Sequence, residues 1–346
     1  MKGNILKLVL VLITLLLGVI LGIYLRHNDS IWTSISTPVL NSHQSLFKTN
    51  KRKWGDQFKI VNIKSSQDST YQKSYIYNSK SEESQPLIVS LHTWSGDFSQ
   101  YDPIAQLCLK NDLNYIHPNF RGPNNTISAC ASDLVIADID DSISYAKSHF
   151  NVDNSNIYVI GFSGGGYATL SSFMKSKHKI KAYSAWASIS DLVAWYKQSN
   201  LRGENYKEDI LACTGSLDKL NVERAKERSP IYWDTPIEKL DNQKLYIYAG
   251  IYDGIQGSVP ITQSINFYNK ILSDLAVKDA SKYVSDLEKM KLLEQREALG
   301  NFGHINNRAI CLKKEQNNVR LTVFKGNHEI LTEFAFNDLL EKNDIN

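Results

Sequence analysis

Cysteine is scarce in this chain: four residues among 346, at positions 108, 130, 213 and 311, none of them in C-x-x-C spacing. That leaves zinc binding and thioredoxin-type chemistry without a ligand set or a redox pair. Glycine and proline are also few, at 18 and 8 residues, so a collagenous or low-complexity chain is excluded. Charge of one sign is missing as well. The net charge of +3 is supplied by Lys2, Lys7 and Arg26, because residues 1–27 contain no Asp or Glu and the remainder is balanced. A neutral body carries no electrostatic footprint for nucleic acid, whose phosphates demand clustered Lys and Arg. No P-loop, H-E-x-x-H or dinucleotide fingerprint occurs, which leaves phosphoryl transfer, metalloprotease and redox chemistry without support. No metal or organic cofactor is expected.

One long hydrophobic run is present. Residues 8–25 are 18 consecutive uncharged residues, enough for a helix of roughly 27 Å, close to the thickness of a bilayer core. Lys2 and Lys7 precede the run and Arg26 follows, a bias that favours a cytoplasmic N-terminus and an exported body. The segment is long for the apolar core of a signal peptide and ends Leu21-Gly22-Ile23-Tyr24-Leu25 without a small-x-small site. The expectation is a retained transmembrane signal-anchor over 1–27, with secretion after cleavage as the alternative. Residues 28–55, rich in Ser, Thr, Asn and Lys, read as a tether.

From residue 56 to 346 the pattern changes to short β-branched and aromatic runs separated by helical stretches, the alternation of a mainly parallel sheet covered by helices on both faces. Eight strands are expected, at 58–63, 71–77, 87–91, 113–117, 156–160, 180–187, 244–249 and 319–324. Helical patterns fall near 104–110, 133–148, 167–177, 261–273 and 330–341. In an exported body some cysteines can pair. Cys130 with Cys213 is the favoured pair, since both fall in segments leaving the same end of the sheet, while Cys108 reads as a small buried hydrophobe.

The chemistry begins at Gly161-Phe162-Ser163-Gly164-Gly165, a G-x-S-x-G match directly after the apolar strand Asn156-Ile157-Tyr158-Val159-Ile160 and directly before a helical pattern. In that context it reads as a nucleophile elbow, a strained strand-to-helix turn that projects the serine hydroxyl into a cleft. A serine hydroxyl is a weak nucleophile at neutral pH and needs a base oriented by a third group. The order Ser, acid, His then selects among the eight histidines. His328 follows the strand at 319–324 and the turn Lys325-Gly326-Asn327, whereas His304 lies in a long connection with no clear preceding strand. A loop at a strand's carboxyl end is where such a sheet presents its site, so His328 is the expected base. Asp253, in the exit loop of the strand at 244–249, is the expected acid, ionised and fixing the His328 tautomer. Two donors are needed for the developing oxyanion. The expected pair is the backbone N–H of Gly164 and that of Trp94, in the loop His92-Thr93-Trp94-Ser95-Gly96.

At this point residues 56–346 resemble the α/β-hydrolase superfamily, and within it the catalytic domain of the prolyl oligopeptidase family and its esterase relatives. Beyond the elbow the likeness rests on several runs of residues. Asn119-Phe120-Arg121-Gly122 is similar to the family's N-Y-R-G. Val152-Asp153 stands before the nucleophile strand and Ser229-Pro230 before the acid strand. Val259-Pro260-Ile261-Thr262-Gln263-Ser264 is similar to V-P-x-x-Q-S after the acid. The resemblance implies the sheet order 1-2-4-3-5-6-7-8 with the second strand antiparallel, and it supports Ser163, Asp253 and His328 by position.

Departures accompany it. Thr93 replaces the glycine of the common H-G-x-x-G oxyanion loop, and two extra residues separate Asp253 from Val259-Pro260. Residues 273–318 read as an insertion with a strong helical pattern at 281–299, and 189–235 as a small cap containing Trp195, Tyr196, Tyr206 and Trp233. The N-terminal 55 residues leave no room for the β-propeller with which family oligopeptidases restrict entry, so peptide selectivity is not implied. The expectation is a serine hydrolase that cleaves a short peptide or carboxylic ester through an acyl-enzyme on Ser163. A carboxylesterase acting on acylated sugars or other small esters is one alternative, and a non-catalytic, membrane-tethered binding protein on a hydrolase fold is the other.

Overall fold

Apolar residues alternate along the central strands, and each alternate set faces its own helical layer. In the computed structural model, which describes residues 54–342, the chain runs β1 (Lys59–Lys64), β2 (Tyr71–Tyr77), β3 (Gln85–Leu91), α1 (Pro103–Lys110), β4 (Asn114–Pro118), α2 (Asp133–His149) and β5 (Val152–Phe162). It continues through α3 (Gly164–Lys175), β6 (Ala182–Trp186), α4 (Leu192–Arg202), α5 (Tyr206–Cys213), α6 (Val222–Glu227), β7 (Lys244–Gly250) and α7 (Thr262–Asp274). It ends with α8 (Asp286–Glu294), β8 (His304–Ile305), β9 (Arg308–Gln316), β10 (Val319–Phe324) and α9 (Thr332–Leu339). Leu87, Val89, Val159, Ile247 and Val323 share one core with α2, α3 and α7. Their neighbours in sequence, Ile88, Tyr158, Ile160, Tyr246, Tyr248 and Phe324, share a second core with α1 and α9. A strand covered on both faces needs this unbroken apolar run.

The sheet order is β1-β2-β4-β3-β5-β6-β7-β10-β9-β8. β2 is antiparallel to both its neighbours, and the strands from β4 to β10 in this order are parallel. The implied order therefore holds, with ten strands instead of eight. The two additions extend the far edge, β9 antiparallel to β10 and β8 antiparallel to β9. They come from the 273–318 segment, whose helical expectation at 281–299 shrinks to α8 and one short 3-10 turn. β9 escaped the pattern because Lys313, Lys314 and Glu315 fill its outer half. A signal for it existed: Asn317 and Asn318 form the two-residue link between β9 and β10, with Asn317 at φ 52°.

Among the described residues no helix is long and apolar enough to cross a membrane. The expected anchor over 1–27, and all but the last two residues of the expected tether, lie outside the described residues.

The excursion between β6 and β7 holds α4, α5 and α6, which pack with Trp94, Tyr167 and Ile189 into a third apolar cluster. A disulfide between Cys130 and Cys213, with Cα atoms 6.0 Å apart at a sequence separation of 83, ties α5 to the loop after β4. The favoured pairing is therefore the one formed, and Cys108 and Cys311 are buried free thiols. Closing so long a loop removes conformational freedom from the unfolded chain. Replacing both Cys130 and Cys213 with Ala should lower stability by about 2–4 kcal/mol, read as an earlier urea midpoint. The midpoint of the native protein should move the same way on reduction.

Candidate active site

Ser163 sits between β5 and α3 at φ 57° and ψ −119°, a conformation strained for a residue with a side chain. The turn is possible because three glycines follow. A Cβ on Gly165 would lie 2.1 Å from the Leu91 carbonyl oxygen, and one on Gly166 would lie 2.6 Å from that of Trp186. α3 accordingly begins at Gly164, three residues before the apolar pattern starts at Tyr167. Glycine is a poor helix former, so propensity concealed a start that close packing demands. The Ser163 N–H donates to the Trp186 carbonyl at 2.9 Å, which fixes the elbow to β6.

β5, β6, β7 and β10 are successive parallel neighbours, so the segments leaving their carboxyl ends emerge on one edge. Asp253 leaves β7 and His328 leaves β10 on that edge. His328 Nδ1 and Asp253 Oδ2 are 2.7 Å apart. The other carboxylate oxygen, Oδ1, accepts from the backbone N–H of Gly254 at 2.9 Å and of Val259 at 3.0 Å. The Asp253 side chain is 1% exposed and that of His328 18%, so the carboxylate is sealed while the imidazole remains reachable. The His328 ring lies 4.7 Å from that of Phe162, the residue before Ser163. With Nδ1 engaged, Nε2 is the ring nitrogen left for a proton from outside the pair. His304 sits on β8, the outermost strand of the sheet, and is exposed.

Gly250 and Gly257 make the pairing possible. A Cβ on Gly250 would meet the Asn327 carbonyl at 2.1 Å, and one on Gly257 would meet both Asp253 Oδ1 and His328 Cβ at 2.4 Å. The sequence marked neither residue, because a close approach between distant segments leaves no local pattern.

The loop after β3 carries the second expected donor. Thr93, the departure from the family loop, spends its own N–H on Gln100 Oε1 at 2.9 Å, and its hydroxyl donates to the same oxygen at 3.1 Å. The next N–H, that of Trp94, faces Gly164: a Cβ there would lie 2.2 Å from Trp94 N. The two backbone donors are thus brought side by side. The Trp94 indole turns into the cap. It is 2% exposed, donates to Asp209 Oδ2 at 2.9 Å and meets Trp195 edge-on at 4.6 Å between ring centroids.

His92 anchors this loop from below. Its ring stacks on Phe120 at 3.8 Å, with Nε2 2.6 Å from the Asn119 carbonyl and Nδ1 3.0 Å from that of Thr93. The two carbonyls favour a proton on each nitrogen, but complete burial outweighs them and brings the pKa from 6.5 down to about 4. Burial likewise pushes down His117, whose Nδ1 faces the Ser90 carbonyl.

A ten-stranded mixed sheet with a serine elbow, an acid loop and a histidine loop on one edge defines the α/β-hydrolase class. Residues 99–274, just over half of the chain, match the prolyl oligopeptidase family, and the chain belongs to that family. Among solved structures it is similar to the uncomplexed acylaminoacyl peptidase of Pyrococcus horikoshii, with a TM-score of 0.55 and 18% identity over 84% of this chain and 41% of that one. It is similar to a puromycin hydrolase at a TM-score of 0.53 and 14% identity, over 83% of this chain and 38% of the other. Prolyl oligopeptidase B of Galerina marginata, as the apo protein, aligns at a TM-score of 0.51 and 15% identity, over 69% of this chain and 37% of its own. At these identities the likeness is one of fold, and the chain spans less than half the length of each of these proteins. No curated protein matches the sequence.

The acid side of the stability profile carries a test of the buried His92. Between pH 6.5 and about 4 the unfolded chain takes up a proton that the native fold refuses. Its contribution is therefore complete above about pH 6.5 and is lost as pH falls through 4. Replacement by Gln should remove up to about 3 kcal/mol of that pH dependence. Urea midpoints at neutral and acidic pH measure it, and an unchanged slope would contradict the assignment.

Proposed function

We propose that this protein is a serine hydrolase that cleaves a peptide or related acyl bond through an acyl-enzyme on Ser163. One observation carries the reading: a strained serine, buried to 8% exposure, shares a sheet edge with a histidine whose Nδ1 is held 2.7 Å from a buried carboxylate. In the proposed reaction His328 Nε2 takes the Ser163 proton as Oγ attacks the substrate carbonyl. The N–H groups of Gly164 and Trp94 hold the oxygen that becomes negative. As the tetrahedral intermediate collapses, the bond to the leaving group breaks and His328 returns the proton to the departing nitrogen or oxygen. Water, deprotonated by the same imidazole, then attacks the ester on Ser163; as the acyl–Oγ bond breaks, His328 returns that proton to Oγ and the acid is released. Asp253 holds the ring in the tautomer with its proton on Nδ1 and stabilises the imidazolium.

Family membership and the peptidase names of the structural neighbours support a peptide or acyl-amino substrate. No specific observation favours an acylated sugar. A purely binding role has no use for a buried acid–histidine pair beside a strained serine. Export behind a membrane anchor remains a proposal resting on the N-terminal sequence.

A fluorophosphonate should label the protein at Ser163 alone, and Ser163→Ala and His328→Ala should each abolish labelling. His304→Ala, on the distant edge strand, should label at the normal rate. Mass mapping of the labelled peptide checks all three. Asp253→Asn keeps the shape but offers the wrong hydrogen-bond partner, so labelling should slow roughly 10²-fold or more without a change in melting. Gly164→Ala forces a Cβ to within 2.2 Å of Trp94 N, which no side-chain rotation relieves. Losing an oxyanion donor typically costs about 10²–10³ in rate, and turnover of an activated aryl ester should fall by that order.

A further inference from the structure

We infer that Arg202 and Trp195, both on α4 of the cap, are positioning residues for Asp253 that act through one peptide unit, Ser258–Val259. The inference rests on the hydrolase reading above and extends it to residues that touch neither the serine nor the histidine.

The Ser258 carbonyl oxygen accepts two side-chain hydrogen bonds, from Trp195 Nε1 at 2.8 Å and from Arg202 Nη2 at 2.6 Å. The N–H on the other side of that same peptide belongs to Val259 and donates to Asp253 Oδ1 at 3.0 Å. A trans peptide is planar, with its C=O and N–H pointing in opposite directions, so donors pulling on the carbonyl aim the N–H at the carboxylate. A guanidinium and an indole on the oxygen also polarise the unit, which strengthens the N–H as a donor in a buried setting.

The residues are built for a fixed position. Trp195 is 1% exposed, and its ring is clamped by Trp94 at 4.6 Å and Tyr206 at 5.0 Å between centroids. Arg202 closes α4, where Gly203 at φ 69° ends the helix, and its Nη2 also pairs with Glu204 Oε2 at 2.7 Å. The Arg202 Nε is buried without a partner, so the side chain tolerates an unmet donor while its Nη2 remains committed to the Ser258 carbonyl. The loop's own backbone bonds, Ile255 and Gln256 N–H to the Tyr252 carbonyl at 3.2 and 3.0 Å and Gly254 N–H to the Gly257 carbonyl at 3.1 Å, leave the Ser258 carbonyl free for the cap. Between Asp253 and Val259 it carries the two residues by which this chain departs from the family spacing, and Ile255 in its middle is 67% exposed. A lengthened, solvent-facing loop does not by itself fix a peptide plane against a carboxylate, and α4 supplies what it lacks.

The test uses the full chain and the rate of fluorophosphonate labelling at Ser163. Arg202→Met and Trp195→Phe, the latter keeping an aromatic ring but losing the N–H, should each slow labelling about tenfold, the order expected for one hydrogen bond to a charged system. Arg202→Lys, which retains a cation, should recover to within about threefold of the native rate. The discriminating measurement is the double variant. If Arg202 acts through Asp253, Arg202→Met should cost less than about twofold in an Asp253→Asn background, whereas a general loss of cap structure would cost its full factor again. Native labelling with an unchanged rate in Arg202→Met and Trp195→Phe, or full additivity with Asp253→Asn, overturns the inference and leaves the hydrolase reading standing. A native protein that does not label at all overturns both.

Discussion

A carboxylate buried to 1% exposure is costly unless its oxygens are satisfied, and the geometry of the site follows from how Asp253 meets that requirement. One oxygen takes His328 Nδ1 and the other takes two backbone N–H groups. To deliver those N–H groups the chain after β7 must curl back on its own side chain. It does so with Gly254 at φ 85° and Gly257 packed directly against the pair. To deliver the imidazole, β10 must lie beside β7, and Gly250 must let the 326–327 turn rest on its backbone. The ten-stranded order and the glycine placements are two scales of one arrangement.

The cap belongs to the same arrangement and is not merely a cover. Its buried tryptophan, Trp195, packs against Trp94 in the loop after β3 and donates to Ser258 in the loop after β7. Asp209 on α5 accepts from the Trp94 indole, and burial holds its carboxyl above the usual range. Two halves of the site that leave different strands are therefore referred to one small helical cluster. The disulfide from Cys213 to Cys130 secures that cluster to the loop after β4. A cap of three short helices has little core of its own, so its position depends on these few directed contacts.

Chemistry that depends on chain order was legible early. The elbow around Ser163 is local, since the strand, the serine and the glycines stand within a few residues, and the placements of Asp253 and His328 follow from counting strands. Trp94 emerged for the same reason, as a loop after a readable strand. Thr93 weakened that reading in sequence, and only its bond to Gln100 shows why Trp94 N, and not Thr93 N, lies beside Gly164. The outer hairpin of β9 and β10 was half visible, because an outward strand rich in Lys and Glu lacks the apolar alternation that marked the others.

The sequence by itself determined the α/β alternation, the serine turn and the placement of Asp253 and His328 in the loops after their strands, because each is written in local periodicity or in the order of elements along the chain. Only the tertiary structure decided that Ser258 would join Arg202 and Trp195 to Asp253 and that Gly257 would sit against His328. It also decided that His92 would be buried beneath the loop after β3. Those are contacts between segments far apart in the chain, 63 residues in the case of Trp195 and Ser258. Their partners are backbone carbonyls and amides, groups that every residue carries and that no residue pattern distinguishes.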